Sequence, residues 1–237
     1  MKRGLFITAT DTGVGKTVIT AGLAAALLAE GLDIGIWKPV QSGHLSNDPE
    51  SDGYRLSTCS GVTDSPEVIA PLAFPQPLTP SLAAAKAGVT LTMEGIIEAG
   101  RPVMDSHEYI VVEGAGGLAV PLTETELVID LAAQFQMPLI IVARPGLGTI
   151  NHTLLSLAYA RQRGIPIVGV ILNGYRDEDA YHDESLLTNA EMIARFGQVE
   201  ILGRFPYLPE PIQPADLLTA IREHIQVDTV SRWLKGI

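Results

Sequence analysis

The sequence predicts an α/β fold in which a parallel β-sheet is covered by helices on both faces. Short, almost continuous apolar runs alternate with segments of helical periodicity along the 237 residues. Strands that are apolar throughout are typical of parallel sheets buried on both faces. The chain shows no internal repeat and no linker, so we expect one domain, residues 1–237, with three layers.

The order of the elements follows from where the apolar runs and the turn residues fall. The predicted strands are 5–9, 34–37, 109–112, 138–143, 166–172 and 199–203. The predicted helices are 16–30, a short one from 51 or 52 to 56, 80–88, 92–104, 127–135, 149–163, 184–196 and 214–224. Residues 62–81 contain five prolines, so we expect an ordered loop or a short strand there and no helix.

Composition and charge exclude several classes of protein. Hydrophobic residues make up 46% and charged residues 18%, as in a packed globular protein. The net charge of −11 predicts neither a nucleic acid nor a membrane partner, and no apolar run approaches a membrane span of about 18 residues. The lone Cys59 excludes an intrachain disulfide and a multi-cysteine metal site. Without a signal-peptide pattern, a cytoplasmic location is expected.

The first strand leads into a loop suited to binding phosphate. The apolar run 5–9 is followed by a polar turn, by Gly13-Val14-Gly15-Lys16-Thr17, and by a segment of helical spacing from Val18. Backbone N–H groups of such a loop point inward, and the helix N-terminus adds positive potential. Lys16 would reach the outer phosphates and the Thr17 hydroxyl would bind Mg²⁺. Thr10 replaces the first glycine of the strict pattern, but the context predicts a P-loop NTPase-like fold.

Other polar residues follow the predicted strands at the edge where the first loop lies. The loops concerned are 10–17, 38–43, 113–117 and 144–151. The carboxyl ends of parallel strands meet at one edge of the sheet, so these loops predict a composite site. Lys38 could reach the phosphates or an anionic intermediate, or could equally be a solvated lysine. Glu113 is a candidate metal ligand, with a simple turn cap as the alternative.

Three further positions remain open from the residues alone. Asp52 has Asp48 and Glu50 as near neighbours, and on its own it is better interpreted as a solvent-facing carboxylate. The N–H groups of 146–151 could hold a carboxylate, or they could form an ordinary helix start capped by Thr149. The Asn173 amide could contact a base edge, or it could belong to an Asn-Gly turn.

Several of these segments together resemble one known family, the dethiobiotin synthetases. The resemblance is carried by Thr10-Asp11-Thr12-x-Val14-Gly15-Lys16-Thr17, Lys38-Pro39-Val40-x-Ser42-Gly43 and Val112-Glu113-Gly114-Ala115-Gly116-Gly117. Further similar blocks are Thr79-Pro80-Ser81, Gly148-Thr149-Ile150-Asn151-His152 and Gly203-x-x-Pro206-Tyr207-Leu208. The resemblance spans residues 4 to about 210, and the first three blocks in this order are specific to the family.

The resemblance implies a ligase that uses ATP and Mg²⁺. Such an enzyme converts 7,8-diaminononanoate and CO2 or bicarbonate into the cyclic urea of dethiobiotin, through a carbamate and a carbamic-phosphoric anhydride. It also implies a homodimer, in which the helix start of one subunit holds the substrate carboxylate of the other.

The same resemblance assigns roles to individual positions. Catalysis is assigned to Lys16 and Lys38, and magnesium binding to Thr17, Asp52 and Glu113. Phosphate contacts are assigned to Gly13, Val14, Gly15, Lys16, Thr17, Val18, Gly114, Ala115 and Gly116. Base and ribose contacts are assigned to Asn173, Pro206, Tyr207, Leu208 and Glu210. Substrate contacts are assigned to Thr12, Lys38, Ser42 and Thr79, and, across the dimer, to Gly148, Thr149 and Asn151.

Three other functions compete with this interpretation. A ParA/MinD-type regulatory ATPase would carry a second lysine early in the phosphate loop, where this chain has Asp11. A cobyrinate amidotransferase would need a glutaminase domain, for which the chain is too short. A nucleotide-binding module without catalysis would not need Lys38 and Glu113 beside Lys16.

Overall fold

The computed structural model describes residues 3–176 and 183–236. The strands are β1 (Arg3–Ala9), β2 (Ile34–Trp37), β3 (Gln41–Ser42), β4 (Ala73–Phe74), β5 (Tyr109–Gly117), β6 (Leu139–Ala143), β7 (Ile167–Tyr175) and β8 (Ile201–Pro206). The helices are α1 (Lys16–Ala29), α2 (Asp52–Ser60), α3 (Pro66–Ile69), α4 (Pro80–Lys86), α5 (Met93–Ser106), α6 (Val128–Phe135), α7 (Thr149–Gln162), α8 (Ser185–Gly197), α9 (Pro214–His224) and α10 (Val227–Lys235).

Six of the described strands form a parallel sheet in the order β2-β5-β1-β6-β7-β8. β1 is central, and its Phe6 pairs with Val112 of β5 on one side and with Leu139 of β6 on the other. β3 and β4 form a separate parallel pair. The predicted α/β fold with a parallel sheet is confirmed.

Side chains of β1 alternate between two apolar layers, which shows that both faces of the sheet are covered. Leu5 and Ile7 belong to a core shared with α1, α2, α9 and α10. Phe6, between them, belongs to a second core shared with α4, α5 and α6. All three side chains are fully buried. Burial on both faces of the sheet explains why β1 is apolar throughout. None of the helices in the described part of the chain is both long and apolar enough to cross a membrane.

The structure corrects several element boundaries. β5 continues through Glu113 to Gly117, because β1 still pairs with it there (Ala9 with Gly117) past a register shift. β7 similarly continues beyond 172 to Tyr175, and β8 lies at Ile201–Pro206 instead of 199–203. The predicted absence of a helix in 62–81 is wrong for α3, where Ser65 and Pro66 form a common helix start.

The last helix, α10, is absent from the sequence-based prediction. Its buried residues include Val230 and Leu234, spaced four apart, and Gly236 ends it in the left-handed conformation. This apolar spacing and the terminal glycine are signals from which the helix could have been found.

Candidate active site

The predicted site residues converge on a cavity of about 600 Å³ at the carboxyl edge of the sheet. It is bounded by the start of α1, the segment after β2, the start of α2 and the end of β5. Predicted residues that line it are Thr12, Gly13, Gly15, Lys16, Thr17, Val18, Lys38, Ser42, Asp52, Thr79, Glu113, Ala115 and Gly116. We call this space the reaction cavity.

The centre of the reaction cavity is a network of four polar side chains. Lys38 Nζ lies 2.6 Å from Glu113 Oε1 and 2.7 Å from Asp52 Oδ2. The Thr17 hydroxyl lies 2.9 Å from Asp52 Oδ1 and 3.0 Å from Glu113 Oε1. Since a hydroxyl has one proton, Thr17 can donate to only one carboxylate at a time. The network therefore brings together the residues expected to bind metal and phosphate, which lie far apart in the sequence.

Burial and charge shift the pKa values of this network. Burial alone would lower the pKa of Lys38, but the charges and hydrogen bonds of Asp52 and Glu113 outweigh it and raise the pKa above its usual value. The Lys38 charge in turn holds the pKa of Asp52 at about 2. The pKa of Lys16 shifts in the opposite direction. Burial lowers it most, and the positive charge of Lys38 lowers it further. No carboxylate of the described residues lies within ion-pairing distance of the Lys16 ammonium, which suits it to an incoming anion.

The ion pair of Asp52 makes a contribution to the free energy of unfolding that depends on pH in the acid range. Its pKa falls from 3.8 to about 2 on folding, so below about pH 4 the unfolded chain binds more protons here than the native protein. This contribution is complete above that pH and disappears as the pH falls toward 2. We expect the free energy of unfolding, measured with urea between pH 6 and pH 2.5, to fall less steeply in Asp52→Asn than in the unaltered protein. Equal slopes would contradict the ion pair.

The donor set fits a magnesium ion. Mg²⁺ prefers oxygen ligands and is usually held by one or two carboxylates together with phosphate oxygens. Thr17, Asp52 and Glu113 supply a hydroxyl and two carboxylates, and Glu113 Oε2 is fully buried with no hydrogen-bond partner in the part of the chain that the structure describes. A buried carboxylate oxygen without a partner is costly unless a cation satisfies it. No three His, Cys, Asp or Glu side chains cluster as a metal site within 3–176 and 183–236, so phosphates would complete the coordination.

The position of Asp52 is set by contacts around the start of α2. Ser51 caps the helix, its hydroxyl accepting from the Tyr54 N–H, and the buried Gln41 Oε1 accepts from the Gly53 N–H at 2.7 Å. Of the alternatives to Asp52, Asp48 lies 3.1 Å from His44 and Glu50 is exposed, and neither lines the reaction cavity.

A second cavity, of about 460 Å³, adjoins the first along the phosphate loop. Predicted residues that line it are Thr12, Gly13, Val14, Gly15, Val18, Asn173, Pro206, Tyr207, Leu208 and Glu210. We call it the base cavity. Asn173 Nδ2 donates to the Val14 carbonyl at 2.7 Å, so this side chain also holds the phosphate loop in place.

Four predicted residues line neither cavity. Gly114 is buried within β5, where an added Cβ would lie 2.9 Å from the Phe6 ring. Gly148, Thr149 and Asn151 lie at the start of α7. The Thr149 side chain is fully buried and does not cap the helix, and its N–H donates to the Gly146 carbonyl. Any ligand contact at this helix start therefore falls to the neighbouring backbone N–H groups and to Asn151, which is exposed.

Sequence reasoning missed several residues of the two cavities. The missed residues are Val40, Gln41, Arg55, Pro77, Leu78, Pro80 and Val120 in the first, and Arg144, Gly174 and Ile212 in the second. Arg55 could have been found, because it lies three residues after Asp52 and residues so spaced share a helix face. Val40 lies in a predicted site loop, and both Val40 and Pro80 lie in blocks of the family resemblance. The other apolar residues carried no such signal.

The fold and the site define a class of protein. A central parallel strand leads through a glycine-rich loop to Lys16 and Thr17 at a helix start, which is the arrangement of the P-loop nucleotide-binding proteins. A family model described as an AAA domain matches residues 3–215.

Comparison with curated proteins identifies the family within that class. The chain is 40% identical to the ATP-dependent dethiobiotin synthetase BioD of Bacillus cereus (strain B4264) over 233 residues, which cover 98% of this chain and 95% of that protein. It is 41% identical, with the same coverage, to the protein of that name from Bacillus thuringiensis (strain Al Hakam). The chain belongs to the ATP-dependent dethiobiotin synthetase family, as the sequence motifs predict.

Solved structures of other proteins show the same fold. The MinD cell division protein of Aquifex aeolicus has a TM-score of 0.57 at 18% identity and covers 99% of this chain and 96% of its own. A ParA family ATPase from Chlorobium tepidum has a TM-score of 0.55 at 17% identity and covers 99% and 98%. At sequence identities this low, the similarity shows only that MinD and the ParA family ATPase share the fold of this protein.

Proposed function

We propose that this protein catalyses the ATP- and Mg²⁺-dependent closure of 7,8-diaminononanoate and CO2 into dethiobiotin, with release of ADP and phosphate. The observation that carries the proposal is the convergence of Lys16 and Lys38 with Thr17, Asp52 and Glu113 in one cavity. The substrate amine takes up CO2 as a carbamate, and a carbamate oxygen then attacks the γ-phosphate of ATP. The second amine attacks the carbonyl carbon of the resulting anhydride, phosphate leaves and the ring closes.

The residues of the reaction cavity suit anionic intermediates of this kind. A carbamate and a transferring phosphoryl group both need fixed positive charge. Lys16, which is buried and has no carboxylate partner among the described residues, would bind the outer phosphates, and Lys38 would face the carbamate oxygen or the transferred phosphate. Magnesium held by Thr17, Asp52 and Glu113 would neutralise phosphate charge. Thr12, Ser42 and Thr79 would orient the diamine end.

The walls of the two cavities suit the other parts of the substrates. Apolar residues of the reaction cavity, which suit the alkyl chain of the diamine, are Val40, Pro77, Leu78, Pro80 and Val120. Asn173 has its amide nitrogen on the phosphate loop, which leaves its oxygen to accept from an adenine amino group. Pro206, Tyr207, Leu208 and Glu210 would contact the base and the ribose.

A homodimer is part of the proposal. Leu147 and Leu155, just before and within α7, expose 81% and 62% of their surface, so burial of these side chains against a second subunit would be favourable. In that dimer Asn151 and the backbone N–H groups beside Thr149 at the α7 start, including that of Gly148, would hold the substrate carboxylate of the other subunit. A cytoplasmic location is likewise proposed, on the lone cysteine.

The test is phosphate release from ATP in the presence of Mg²⁺ and bicarbonate, with and without 7,8-diaminononanoate. Strong stimulation by the diamine, together with formation of dethiobiotin, is expected. Slow hydrolysis of ATP that the diamine does not change would contradict the proposal and favour a regulatory ATPase.

Removing the charge of Glu113 should mainly weaken the response to magnesium. In Glu113→Gln we expect the Mg²⁺ concentration at half-maximal turnover to rise at least about tenfold. Loss of an outer-shell partner alone costs about tenfold to a hundredfold in metal affinity, and Glu113 would bind the ion directly. A magnesium titration of diamine-dependent phosphate release measures it. Glu94→Gln, at an exposed position on α5, is the matched control. A titration curve of Glu113→Gln that coincides with that of Glu94→Gln would exclude Glu113 as a ligand.

A further inference from the structure

Arg55 lies at the junction of the two cavities. It lies on α2, one turn after Asp52, and lines the reaction cavity. Its Nη1 lies 3.5 Å from Oε1 of Glu210, which lines the base cavity. Arg55 and Glu210 also share the wall of a small apolar slot that contains Val18. The ion pair therefore joins the walls of the two cavities. A nucleotide bound with its base in the base cavity and its phosphates in the reaction cavity would extend past this pair.

The charges of the reaction cavity give Arg55 a role there. Lys38 is matched by Asp52 and Glu113, so that these two carboxylates and the two lysines together carry no net charge. ATP brings about four negative charges, of which Mg²⁺ balances two. A further cation beside the phosphates would improve binding, and Arg55 is the remaining Lys or Arg side chain among the described residues that line this cavity.

The contact between Arg55 and Glu210 is weak enough for Arg55 to exchange Glu210 for another partner. The distance of 3.5 Å is long for an ion pair, and the two side chains are 46% and 58% exposed. Exposed pairs of this kind contribute little to stability, so the guanidinium can change partners at small cost. Arginine binds phosphate oxygens through two parallel N–H groups, which makes a phosphate a stronger partner than this distant carboxylate.

We propose that Arg55 binds the phosphates of the nucleotide, and that Glu210 is its partner when no nucleotide is present. On binding, the guanidinium moves from Glu210 to a phosphate oxygen, and Glu210 becomes free to accept from the ribose hydroxyls. One residue on the helix that carries Asp52 would thus contact the nucleotide directly. The inference rests on the proposed function only in taking an adenine nucleotide as the ligand.

The experiment measures ADP binding by calorimetry in the presence of Mg²⁺. Arg55→Met keeps the aliphatic stem against the slot and removes the charge, and we expect its Kd for ADP to rise about tenfold. Arg55→Lys keeps the charge and should lose clearly less affinity than Arg55→Met. Arg101→Met, which removes an exposed arginine paired with Glu98 on α5, should bind ADP as the unaltered protein does.

The outcomes separate this inference from the proposed reaction. An unchanged Kd in Arg55→Met, or a loss no larger than that in Arg101→Met, would overturn the contact between Arg55 and the phosphates. Thermal unfolding of each variant without nucleotide shows whether α2 is intact. ADP binding requires no diamine, so a failure of diamine-stimulated phosphate release would contradict the proposed reaction and leave the role of Arg55 standing.

Discussion

The turnover rate of Lys38→Met is expected to be about a hundredfold to a thousandfold lower than that of the unaltered protein. Removing one fixed donor that stabilises charge in the transition state has an effect of this size. Its Nζ lies within 2.7 Å of both Asp52 and Glu113, and the side chain is only 5% exposed. Methionine fills a similar volume without charge. The variant therefore leaves two carboxylates in the cavity without their counter-ion, one of them fully buried. Breaking a buried ion pair in this way costs about 3–5 kcal/mol of stability.

Magnesium should reverse part of this loss of stability. A divalent cation would take the place of the missing ammonium between the two carboxylates, so Mg²⁺ should raise the thermal midpoint of Lys38→Met more than that of the unaltered protein. Thermal unfolding with and without Mg²⁺ measures the stability, and diamine-dependent phosphate release measures the turnover. Lys86→Met, at an exposed position on α4, is the control. Near-normal turnover in a folded Lys38→Met protein would remove Lys38 from the mechanism.

Much of this site could be predicted because it depends on where strands end. The carboxyl ends of parallel strands share one edge, and apolar runs show where those ends fall, so Lys16, Lys38 and Glu113 could be expected near one another. The prediction for Asp52 needed the family resemblance. Its position depends on the contact between Gln41 and Gly53 across a turn, and no periodicity shows such a contact.

Other features depend on contacts between distant segments. The glycines after Glu113 predict a loop, yet β1 pairs with Glu113 and again with Gly117, with a register shift between the two pairs. Within this segment Gly114 packs on Phe6. The sequence is compatible with Asn173 as a base contact or as a turn residue, and the structure shows that its Nδ2 donates to the Val14 carbonyl, 159 positions away in the sequence. The pairing of Arg55 with Glu210 is equally remote along the chain. Sequence patterns report local preference and burial, and such pairings are set by the tertiary fold.

The largest effect at the phosphate loop is expected from Gly15→Ala. Gly15 has φ = 86°, a left-handed conformation that costs an alanine about 1–2 kcal/mol. An added Cβ would also lie 2.0 Å from Asn173 Nδ2, so the amide must move and release the Val14 carbonyl. The loop would then lose both its shape and the contact that holds it. We expect turnover to fall at least about a hundredfold, since small misplacements of reacting groups have effects of this size.

Gly13 provides a matched control, because it separates conformational strain from the clash. Its φ is 75°, but an added Cβ has no atom within 4 Å. Gly13→Ala should therefore show the conformational cost without a clash, so its thermal midpoint without nucleotide should fall less than that of Gly15→Ala. In Gly15→Ala/Asn173→Ala the clash is removed, so the thermal midpoint should rise above that of Gly15→Ala. Equal falls of the thermal midpoint without nucleotide in Gly13→Ala and Gly15→Ala would mean that the left-handed backbone, and not the contact with Asn173, controls the stability of the loop.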